Sequence, residues 1–273
     1  MKILVVGYGS IGKRHVQNLL KIPNVEILIC TKQNIRNPCI KKEKISKSIS
    51  ECIKENPEIG IISNESSYHV KTAIKLAKLG IDLFIEKPLS NSLDGSKELL
   101  SIVKKNKVIT QMGCQFRFHK CIKKMKNIIS NKKLGKIISV RSECGSFLPD
   151  WHPNENYSKS YAARNDLGGG VVLTNIHEID YLYWFFGDVS QVISITGKYS
   201  ELKISADDLS VGILKFKNNI IAELHLDYFQ KHDYRSCKII GSSGTVFWDS
   251  DTNIVSFYEN KKNKWTKVLK WTK

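Results

Sequence analysis

Short apolar runs alternate with amphipathic segments over the first part of the chain. Residues 2–6 form an apolar, β-branched run that is typical of a buried parallel strand, and residues 13–21 show the apolar spacing of a helix. The same reasoning predicts further strands at 25–31, 59–62, 81–85 and 108–112, and helices at 48–55, 68–79 and 93–105. This alternation predicts an α/β fold with a doubly wound parallel sheet.

The pattern changes in the second part of the chain. From about residue 136, apolar residues recur at every second position, and a helical pattern remains only at 170–186. Strands are predicted at 137–147, 192–198, 209–216, 220–229, 237–240, 245–248 and 254–258, and Asn218-Asn219 suits a tight hairpin. These elements predict an α+β domain with a mainly antiparallel sheet and one long helix. Because no linker separates the two patterns, we expect domains 1–118 and 119–273 joined by a compact hinge.

A glycine-rich turn lies between the first predicted strand and the first predicted helix. It reads GYGSIG from residue 7 to residue 12, which is the G-x-G-x-x-G fingerprint in the context that dinucleotide binding requires. Gly7 makes the tight turn, Gly9 lets the backbone approach a pyrophosphate, and Gly12 lets the helix pack close to the strand. The helix start at Ser10 and Ile11 offers N–H groups to the phosphates. The alternative is a glycine-rich turn without a ligand.

The formal net charge is +17 at pH 7, from 43 Lys and Arg against 26 Asp and Glu. The lysines are scattered over predicted helix faces and turns, and no RNA- or DNA-binding motif accompanies them. We therefore expect a lysine-rich surface that favours anionic ligands, and no nucleic-acid partner. No apolar run approaches the roughly 20 residues that span a bilayer, so no membrane partner is expected either.

The chain has seven cysteines, and their spacing predicts neither a disulfide framework nor a zinc site. They are Cys30, Cys39, Cys52, Cys114, Cys121, Cys144 and Cys237. Their number is odd and no C-x-x-C or C-x-x-H pair occurs, so we expect no metal and a reducing compartment. The N-terminal apolar run is short and is interrupted by the glycine turn, unlike a signal peptide. A cytoplasmic protein is therefore predicted.

The end of the second predicted strand bears on the choice of coenzyme. An Asp or Glu there would bind the 2′-hydroxyl of the adenosine ribose and favour NAD. Here Thr31 and Lys32 follow the strand, and a hydroxyl followed by a cation suits a 2′-phosphate. We therefore expect NADP in preference to NAD. The alternative is that Lys32 is an ordinary loop lysine.

Polar residues follow the carboxyl ends of the predicted parallel strands, where open α/β sheets bind ligands. Glu86, Lys87 and Pro88 follow the fourth of these strands directly. Lys87 precedes a proline, so its backbone is restricted, and its ammonium could donate a hydrogen bond or a proton to a substrate oxygen. The alternative is a strand-end lysine that reaches into solvent.

Five motifs resemble, in order and spacing, those of the Gfo/Idh/MocA oxidoreductases. They are residues 7–12, Glu86-Lys87-Pro88, residues 115–119 (QFRFH), the glycines 168–170, and residues 177–180 (HEID). The resemblance implies a Rossmann dinucleotide-binding domain at 1–118 and a substrate-binding domain with an open sheet at 119–273. It further implies hydride transfer between a nicotinamide and a carbinol carbon of a sugar-type substrate. Relatives often pair through the open sheet, which implies a homodimer or homotetramer.

The resemblance also assigns roles to individual residues. Lys87 matches a lysine that orients substrate and shares in proton transfer, and His177 matches a histidine that acts as general acid or base. Alone, His177 could equally be a helix-face histidine paired with Asp180. The cofactor-binding residues expected from the resemblance, besides those of the glycine turn and Thr31-Lys32, are Asn64, His69, Glu86, Lys87 and Gln115.

Two positions depart from the family pattern. The family commonly has an aspartate one turn before the histidine, whereas this chain has Thr174, followed by Asn175. Threonine carries no charge with which to orient His177 or raise its basicity. The turn after the third strand begins with Ser63-Asn64 where Thr-Pro-Asn is usual, which weakens the assignment of that contact.

Substrate selection is expected to fall mainly to residues 146–166, a polar and aromatic segment. Its Trp151, Tyr161 and Arg164 could stack on a sugar ring or clamp an anionic group, although ordinary loop packing is the alternative for each. The complete set of predicted substrate-binding residues is Arg117, Trp151, Tyr161, Arg164, Thr174, Asn175 and His177. The pattern Leu148-Pro149-Asp150-Trp151 with Ser160-Tyr161 also resembles a branch of the family associated with acylated-sugar or surface-glycan pathways. The expected substrates therefore include acylated or nucleotide-linked sugars.

The combined prediction is a cytoplasmic NAD(P)-dependent oxidoreductase that acts on the CH–OH group of a sugar or sugar derivative. Two alternatives remain open. One is a relative that oxidises its substrate transiently to permit elimination or glycoside cleavage. The other, suggested by Thr174, is a catalytically silent dinucleotide-binding regulatory protein.

Overall fold

The computed structural model describes residues 1–35 and 44–272. The chain divides into two compact units. Unit 1 comprises Met1–Gly113 with Asp166–Gly168, and unit 2 comprises Cys114–Asn165 with Gly169–Lys273.

Unit 1 contains a six-stranded parallel sheet, which confirms the predicted doubly wound fold. Its strands are β1 (Lys2–Val6), β2 (Glu26–Cys30), β3 (Ile45–Ser46), β4 (Ile59–Ile62), β5 (Asp82–Ile85) and β6 (Thr110–Met112), and its helices are α1 (Ser10–Leu19), α2 (Ile49–Lys54), α3 (His69–Ala77) and α4 (Ser96–Asn106). The strand order is β3-β2-β1-β4-β5-β6. Because β2 and β4 flank β1 on either side, the order reverses there, at the point where such folds bind dinucleotides.

Both faces of the unit 1 sheet are buried. Leu4 packs on one face with Leu76 of α3, and its neighbour Val5 packs on the other face with Val16 of α1. Successive side chains of a strand point to opposite faces, so a sheet covered on both sides requires continuous apolar runs. This requirement is why the central strands are visible in the sequence.

Unit 2 contains an eight-stranded, mainly antiparallel sheet, as predicted. Its elements are α5 (Lys120–Ser130), β7 (Ile137–Gly145), α6 (Val171–Thr174), α7 (His177–Phe186), β8 (Val189–Gly197), β9 (Leu209–Phe216), β10 (Ile221–Asp227), β11 (Tyr234–Gly241), β12 (Gly244–Asp249), β13 (Ile254–Glu259) and β14 (Lys264–Lys270). The strand order is β14-β13-β12-β11-β7-β10-β9-β8, and β7 and β10 form the parallel pair. The hairpin at Asn218-Asn219 is confirmed, with Asn219 at φ 64°.

One face of this sheet carries the core of unit 2. Met125 of α5 and Tyr181 and Leu182 of α7 are buried against Phe216 and Trp248 of the sheet. On β8 and β9, by contrast, Ile193, Ile195, Val211 and Ile213 are exposed. The sheet is therefore open on its second face at this end.

Four elements differ from the sequence prediction. The strands β3 and β14 and the helix α5 lie where none was predicted. The helix expected at 170–186 is divided into α6 and α7, with Asn175 and Ile176 between them.

The two units separate between Gly113 and Cys114, whereas the prediction placed the boundary after residue 118. The difference arises at a 3-10 turn, Gln115–Phe118. Phe116 of this turn stacks on Tyr181 of α7, and Arg117 forms an ion pair with Asp180 of the same helix. These contacts attach the turn to unit 2.

The described cysteines are free thiols, and Cys39 lies outside the described residues. Within the described part of the chain, no helix has both the length and the apolar character needed to cross a membrane.

Candidate active site

The glycine turn after β1 adopts the conformation that its sequence predicts. Gly7 has φ +96°, a region that favours glycine, and its N–H donates to the carbonyl of Cys30 over 2.9 Å. A Cβ on Gly7 would lie 2.5 Å from the backbone nitrogen of Asn64. A Cβ on Gly12 would lie 2.2 Å from the carbonyl oxygen of Gly7, so the close approach of α1 to the turn after β1 requires glycine at position 12.

Gly9 differs from Gly7 and Gly12 because no other part of the described chain packs closely against it. A Cβ on Gly9 would meet no atom of the described chain within 4 Å. Gly9 precedes the first turn of α1, and no side chain among the described residues caps that turn. The amides of Ser10 and Ile11 belong to this first turn, where no intrahelical carbonyl can accept them. The turn thus presents an open backbone surface with N–H donors.

Thr31 and Lys32 follow β2 as predicted. The Thr31 side chain is buried and its hydroxyl accepts the N–H of Gln33 over 3.2 Å, while Lys32 is exposed. Neither residue is acidic, so the position that would bind a ribose 2′-hydroxyl through a carboxylate offers a hydroxyl and a cation instead.

Asn64 lies at the carboxyl end of β4, beside Gly7. Its amide nitrogen donates to the hydroxyl of Thr72 over 3.4 Å, but its side-chain oxygen Oδ1 is buried and has no partner among the described residues. A buried oxygen without a donor is costly, so this atom is suited to accept a hydrogen bond from a ligand.

His69 is only 1% exposed and both of its ring nitrogens contact backbone carbonyls. Nδ1 lies 2.8 Å from the oxygen of Pro88 and Nε2 lies 2.9 Å from the oxygen of Asn64. His69 was predicted to bind the cofactor. In the structure both of its ring nitrogens contact the protein backbone, so the ring connects the segment after β4 with the segment after β5.

Glu86 was also predicted to bind the cofactor, yet its carboxylate is engaged within unit 1. Oε1 accepts from Nε2 of His15 over 2.7 Å, and Oε2 accepts the backbone N–H of Lys87 over 3.3 Å. Lys87 itself is half-buried, and the Lys87–Pro88 peptide is cis. The sequence reasoning missed His15, although its position on α1, three residues after Gly12, was visible.

His177 begins α7 and is 3% exposed. Its ring stacks on Phe116 with the ring centres 4.8 Å apart. Thr174 and Asn175 precede it and are both buried. The Asn175 amide nitrogen has no hydrogen-bond partner among the described residues, so it is available to a bound molecule.

The two carboxylates that follow His177 are each paired with an arginine. Arg117 donates two hydrogen bonds to Asp180, of 3.0 and 2.7 Å, and this pairing raises the pKa of the Arg117 guanidinium. The alternative in which His177 pairs with Asp180 therefore meets a carboxylate whose two oxygens already accept from Arg117. Arg117 keeps its remaining N–H groups for the predicted contact with substrate.

Glu178 is fully buried and forms the second ion pair. Its Oε1 lies 3.0 Å from Nε of Arg235 on β11. Burial alone would lower the pKa of the Arg235 guanidinium, but the charge of Glu178 raises it overall. Arg235 also lies 4.4 Å from the ring centre of Phe116, the ring on which His177 stacks. Sequence reasoning missed this pair because only the pairing of β7 with β11 brings Arg235 to α7.

The end of the predicted substrate segment, residues 146–166, is hydrogen-bonded to the glycine turn that precedes α6. Gly169 donates to the carbonyl of Arg164 and Gly170 donates to that of Ala162, each over 2.9 Å. A Cβ on Gly169 would lie 2.1 Å from the carbonyl oxygen of Tyr161, so only glycine allows this approach. The side chains of Tyr161 and Arg164 are exposed.

Trp151 and Thr174 meet at Tyr228, a buried residue after β10. The Trp151 ring lies edge-on to that of Tyr228, with centres 5.4 Å apart. Burial raises the pKa of Tyr228, and a hydrogen bond with Thr174 opposes this shift. Gln115, predicted to contact the nicotinamide, is exposed at the start of unit 2. Among the described residues, no group of three or more His, Cys, Asp or Glu side chains is placed to hold a metal ion.

Comparison with known proteins supports both units. Residues 1–114 match the model of an oxidoreductase family with an NAD-binding Rossmann fold, and residues 122–247 match the GFO/IDH/MocA C-terminal domain. The chain is 25% identical to the myo-inositol 2-dehydrogenase of Thermotoga maritima over 271 residues, which cover 93% of this chain and 78% of that protein.

Two solved structures share the fold. One is an oxidoreductase from Agrobacterium radiobacter in complex with NAD+, L-tartaric acid and magnesium, with a TM-score of 0.80, 16% identity, and coverage of 99% of this chain and 80% of that one. The other is levoglucosan dehydrogenase in complex with NADH and L-sorbose, with a TM-score of 0.81, 17% identity, and coverage of 98% and 79%.

Proposed function

This chain belongs to the Gfo/Idh/MocA oxidoreductase family, and on that premise we propose that it transfers a hydride between a nicotinamide dinucleotide and the carbinol or carbonyl carbon of a sugar or sugar derivative. Relatives named as inositol and levoglucosan dehydrogenases support this substrate class. The observation that carries the proposal is the turn at Gly9, which stays open although Gly7 and Gly12 are closely packed.

The residues around this turn fit a dinucleotide. Gly9 leaves room for a pyrophosphate, and the Ser10 and Ile11 amides supply donors at the positive end of α1. The unpartnered Oδ1 of Asn64 supplies an acceptor nearby in unit 1. When bound, the coenzyme accepts or supplies the hydride, while the protein provides position and proton handling.

Lys87 and His177 are the proposed catalytic residues. The Lys87 ammonium would donate a hydrogen bond to the reacting substrate oxygen and hold it in place. His177 would take the proton from that oxygen during oxidation and return it during reduction, since imidazole exchanges protons near neutral pH. The stacked Phe116 ring restricts the orientation of His177.

Asn175 is the best-supported of the proposed substrate contacts. Its buried amide nitrogen has no partner in the described chain, so a substrate hydroxyl can accept from it without displacing a protein hydrogen bond. Trp151, Tyr161 and Arg164 are proposed to add stacking and charge, with Arg117 and Thr174 completing the set. An arginine in the set favours a substrate with an anionic group, such as an acylated or nucleotide-linked sugar.

NADP is the proposed coenzyme, in preference to NAD. The support is local: Thr31 offers a hydroxyl, Lys32 offers an exposed cation, and no carboxylate follows β2 at these two positions. A 2′-phosphate would attract the Lys32 ammonium, whereas the 2′-hydroxyl of NAD would find no carboxylate acceptor here.

A homodimer or homotetramer that forms through the open face of the unit 2 sheet is also proposed. Ile193 of β8 and Ile213 of β9 are cross-strand partners, as are Ile195 and Val211. All four are exposed, Ile193 by 62% and Ile195 by 66%. A contiguous apolar patch of this kind on a sheet is typical of an association surface.

The test is turnover and coenzyme binding in the Lys87→Ala and His177→Ala variants, using inositols, sugars and nucleotide-sugars as substrates. Loss of a proton-transfer group should lower kcat about 100-fold or more, while coenzyme affinity stays within about threefold of the wild type. Lys71→Ala and His232→Ala, both exposed in the folded protein, are the matched controls.

Wild-type rates in both Lys87→Ala and His177→Ala would show that the catalytic assignment is wrong. Tight coenzyme binding without turnover of any substrate would instead favour the regulatory, catalytically silent protein to which Thr174 draws attention.

A further inference from the structure

The segment Glu86-Lys87-Pro88 is anchored on both sides of the lysine. The backbone N–H of Glu86 donates to Ile62 of β4 over 2.9 Å, and the carbonyl of Ile85 accepts from Gly113, after β6, over 2.8 Å. Glu86 is therefore the last residue that the sheet holds through its backbone on this strand. Lys87 follows at once, so its position depends on what holds its two neighbours.

His15 holds the residue before the lysine. Its Nε2 donates to Oε1 of Glu86 over 2.7 Å, and the two side chains are 18% and 10% exposed. The edge of the Phe84 ring packs against the imidazole, with ring centres 5.2 Å apart. A charge-assisted hydrogen bond this short and this shielded from water is stronger than an exposed ion pair.

Gly113 and Lys87 fix the other side of the same carboxylate. A Cβ on Gly113 would lie 2.8 Å from Oε2 of Glu86, so the carboxylate packs directly on this backbone. Oε2 also accepts the N–H of Lys87 over 3.3 Å. Glu86 thus links the backbone of Lys87 to a side chain of α1, the helix whose first turn faces the proposed pyrophosphate site.

His69 holds the residue after the lysine, through the 2.8 Å contact between Nδ1 and the carbonyl oxygen of Pro88. The lysine therefore lies between one residue that a histidine of α1 fixes and another that a histidine of α3 fixes. Lysine has a long and flexible side chain, so a productive position of its ammonium requires that the backbone beneath it be fixed.

We propose that His15 is a positioning residue that, through Glu86, holds Lys87 at the place where it contacts the reacting oxygen. This inference rests on the proposed function, because it assumes that Lys87 acts in the reaction. It assigns Glu86 to the support of Lys87 and not to the coenzyme. It also predicts that the support is a hydrogen bond, which a neutral donor of similar reach can replace.

The experiment compares His15→Ala with His15→Gln, whose side-chain amide can donate to Glu86, and with Gln17→Ala, an exposed control on the same helix. We expect His15→Ala to lower kcat about tenfold or more while coenzyme affinity stays within about twofold, since misplacing a catalytic group costs rate rather than binding. His15→Gln should restore most of the rate. If His15→Ala does not fold, the His15→Ala/Glu86→Ala double variant removes the unpaired carboxylate and should show the same loss of kcat.

A second measurement does not depend on turnover. An amine-reactive ester labels lysines, and peptide mass spectrometry gives the labelling rate at Lys87, with Lys71 as internal reference. The rate at Lys87 should change at least about threefold in His15→Ala and return in His15→Gln, because the first variant alone releases the segment. If no substrate turns over, the proposed function fails, and these rates still decide the role of His15.

Unchanged kcat and unchanged labelling of Lys87 in His15→Ala would overturn the inference. So would a loss of coenzyme affinity with kcat unchanged, because His15 would then serve the coenzyme and not Lys87.

Discussion

At the scale of single residues, the carboxylates close to His177 in sequence are all paired with arginines. The carboxylates of Glu178 and Asp180 follow it in α7, but Arg235 and Arg117 neutralise them. Thr174, one turn earlier, is uncharged and lies against Tyr228. The residues just before His177 therefore supply neutral hydrogen-bonding groups, and the buried Asn175 amide nitrogen has no partner among the described residues. Ring stacking comes from the distant Phe116.

The proposed preference for NADP also rests on single residues. Lys32 is exposed, so Lys32→Ala should leave folding intact and remove the cation proposed to pair with a 2′-phosphate. We expect NADPH affinity to fall about tenfold, equivalent to about 1.4 kcal/mol, with NADH affinity unchanged. Fluorescence titration with both coenzymes measures this, and Lys21→Ala, also exposed, is the control.

The same titration of the wild-type protein can contradict the proposed preference. If it binds NADH as tightly as NADPH or more tightly, the preference that Thr31 and Lys32 suggest is wrong.

At the scale of elements, the sequence predicts those whose pattern is local. The strands of unit 1 are buried on both faces and read as apolar runs, so β1 and β4 are predicted to the residue. The helix α5 has apolar residues at Ile122, Met125 and Ile128 with lysines on its other face, so its helical period is present in the sequence and the prediction missed it. The strand β14 lies at the edge of its sheet, and only its pairing with β13 identifies it as a strand.

The division between α6 and α7 shows what local pattern cannot reveal. Both helices keep apolar spacing, so the sequence predicts one continuous helix. The start of α6 is set from a distance: the N–H of Val171 donates to the carbonyl of Asp207 over 2.9 Å, and that of Val172 donates to its side chain over 3.1 Å. This long-range cap places Thr174 and Asn175 at the end of a short helix and His177 at the start of the next.

The candidate site also combines features that are local in sequence with contacts between distant segments. The glycine turn and Lys87 are visible in the sequence, because each belongs to a short motif whose strand-and-turn context is local. The contacts that support them come from distant segments: His15 meets Glu86, and Arg235 meets Glu178. The sequence therefore singles out Lys87 and His177, whose roles stay proposals. It does not reveal that His69 and Glu86, expected at the cofactor, make hydrogen bonds with other protein segments.

At the scale of the whole molecule, the open face of the unit 2 sheet predicts association. Ile193→Glu would place a charge in the proposed interface, opposite Ile213, and should convert the oligomer to monomers. Ile193 is already exposed within one chain. The free energy of unfolding of the monomeric variant should therefore differ from that of the wild-type monomer by about 0.5 kcal/mol or less. Light scattering after size-exclusion chromatography measures the assembly state.

Val192→Glu is the matched control, because Val192 is equally exposed on the same strand but its side chain points to the opposite face of the sheet. An oligomer that survives Ile193→Glu, or a wild-type protein that is monomeric at high concentration, would contradict the proposed interface.

The central claim is that the turn after β1 holds a dinucleotide, and Gly9 tests it most directly. A Cβ on Gly9 would meet no atom of the described chain within 4 Å, and its φ of −72° suits any residue, so we expect Gly9→Val to fold normally. Gly7→Ala is the contrasting variant, because φ +96° and the 2.5 Å approach to Asn64 make it destabilising.

The measurement is the dissociation constant of NADPH and NADH for Gly9→Val, by calorimetry, together with its melting temperature. We expect a wild-type melting temperature and an affinity weakened about 100-fold, since the valine would occupy the space of the pyrophosphate. Wild-type affinity in a stably folded Gly9→Val protein would contradict it.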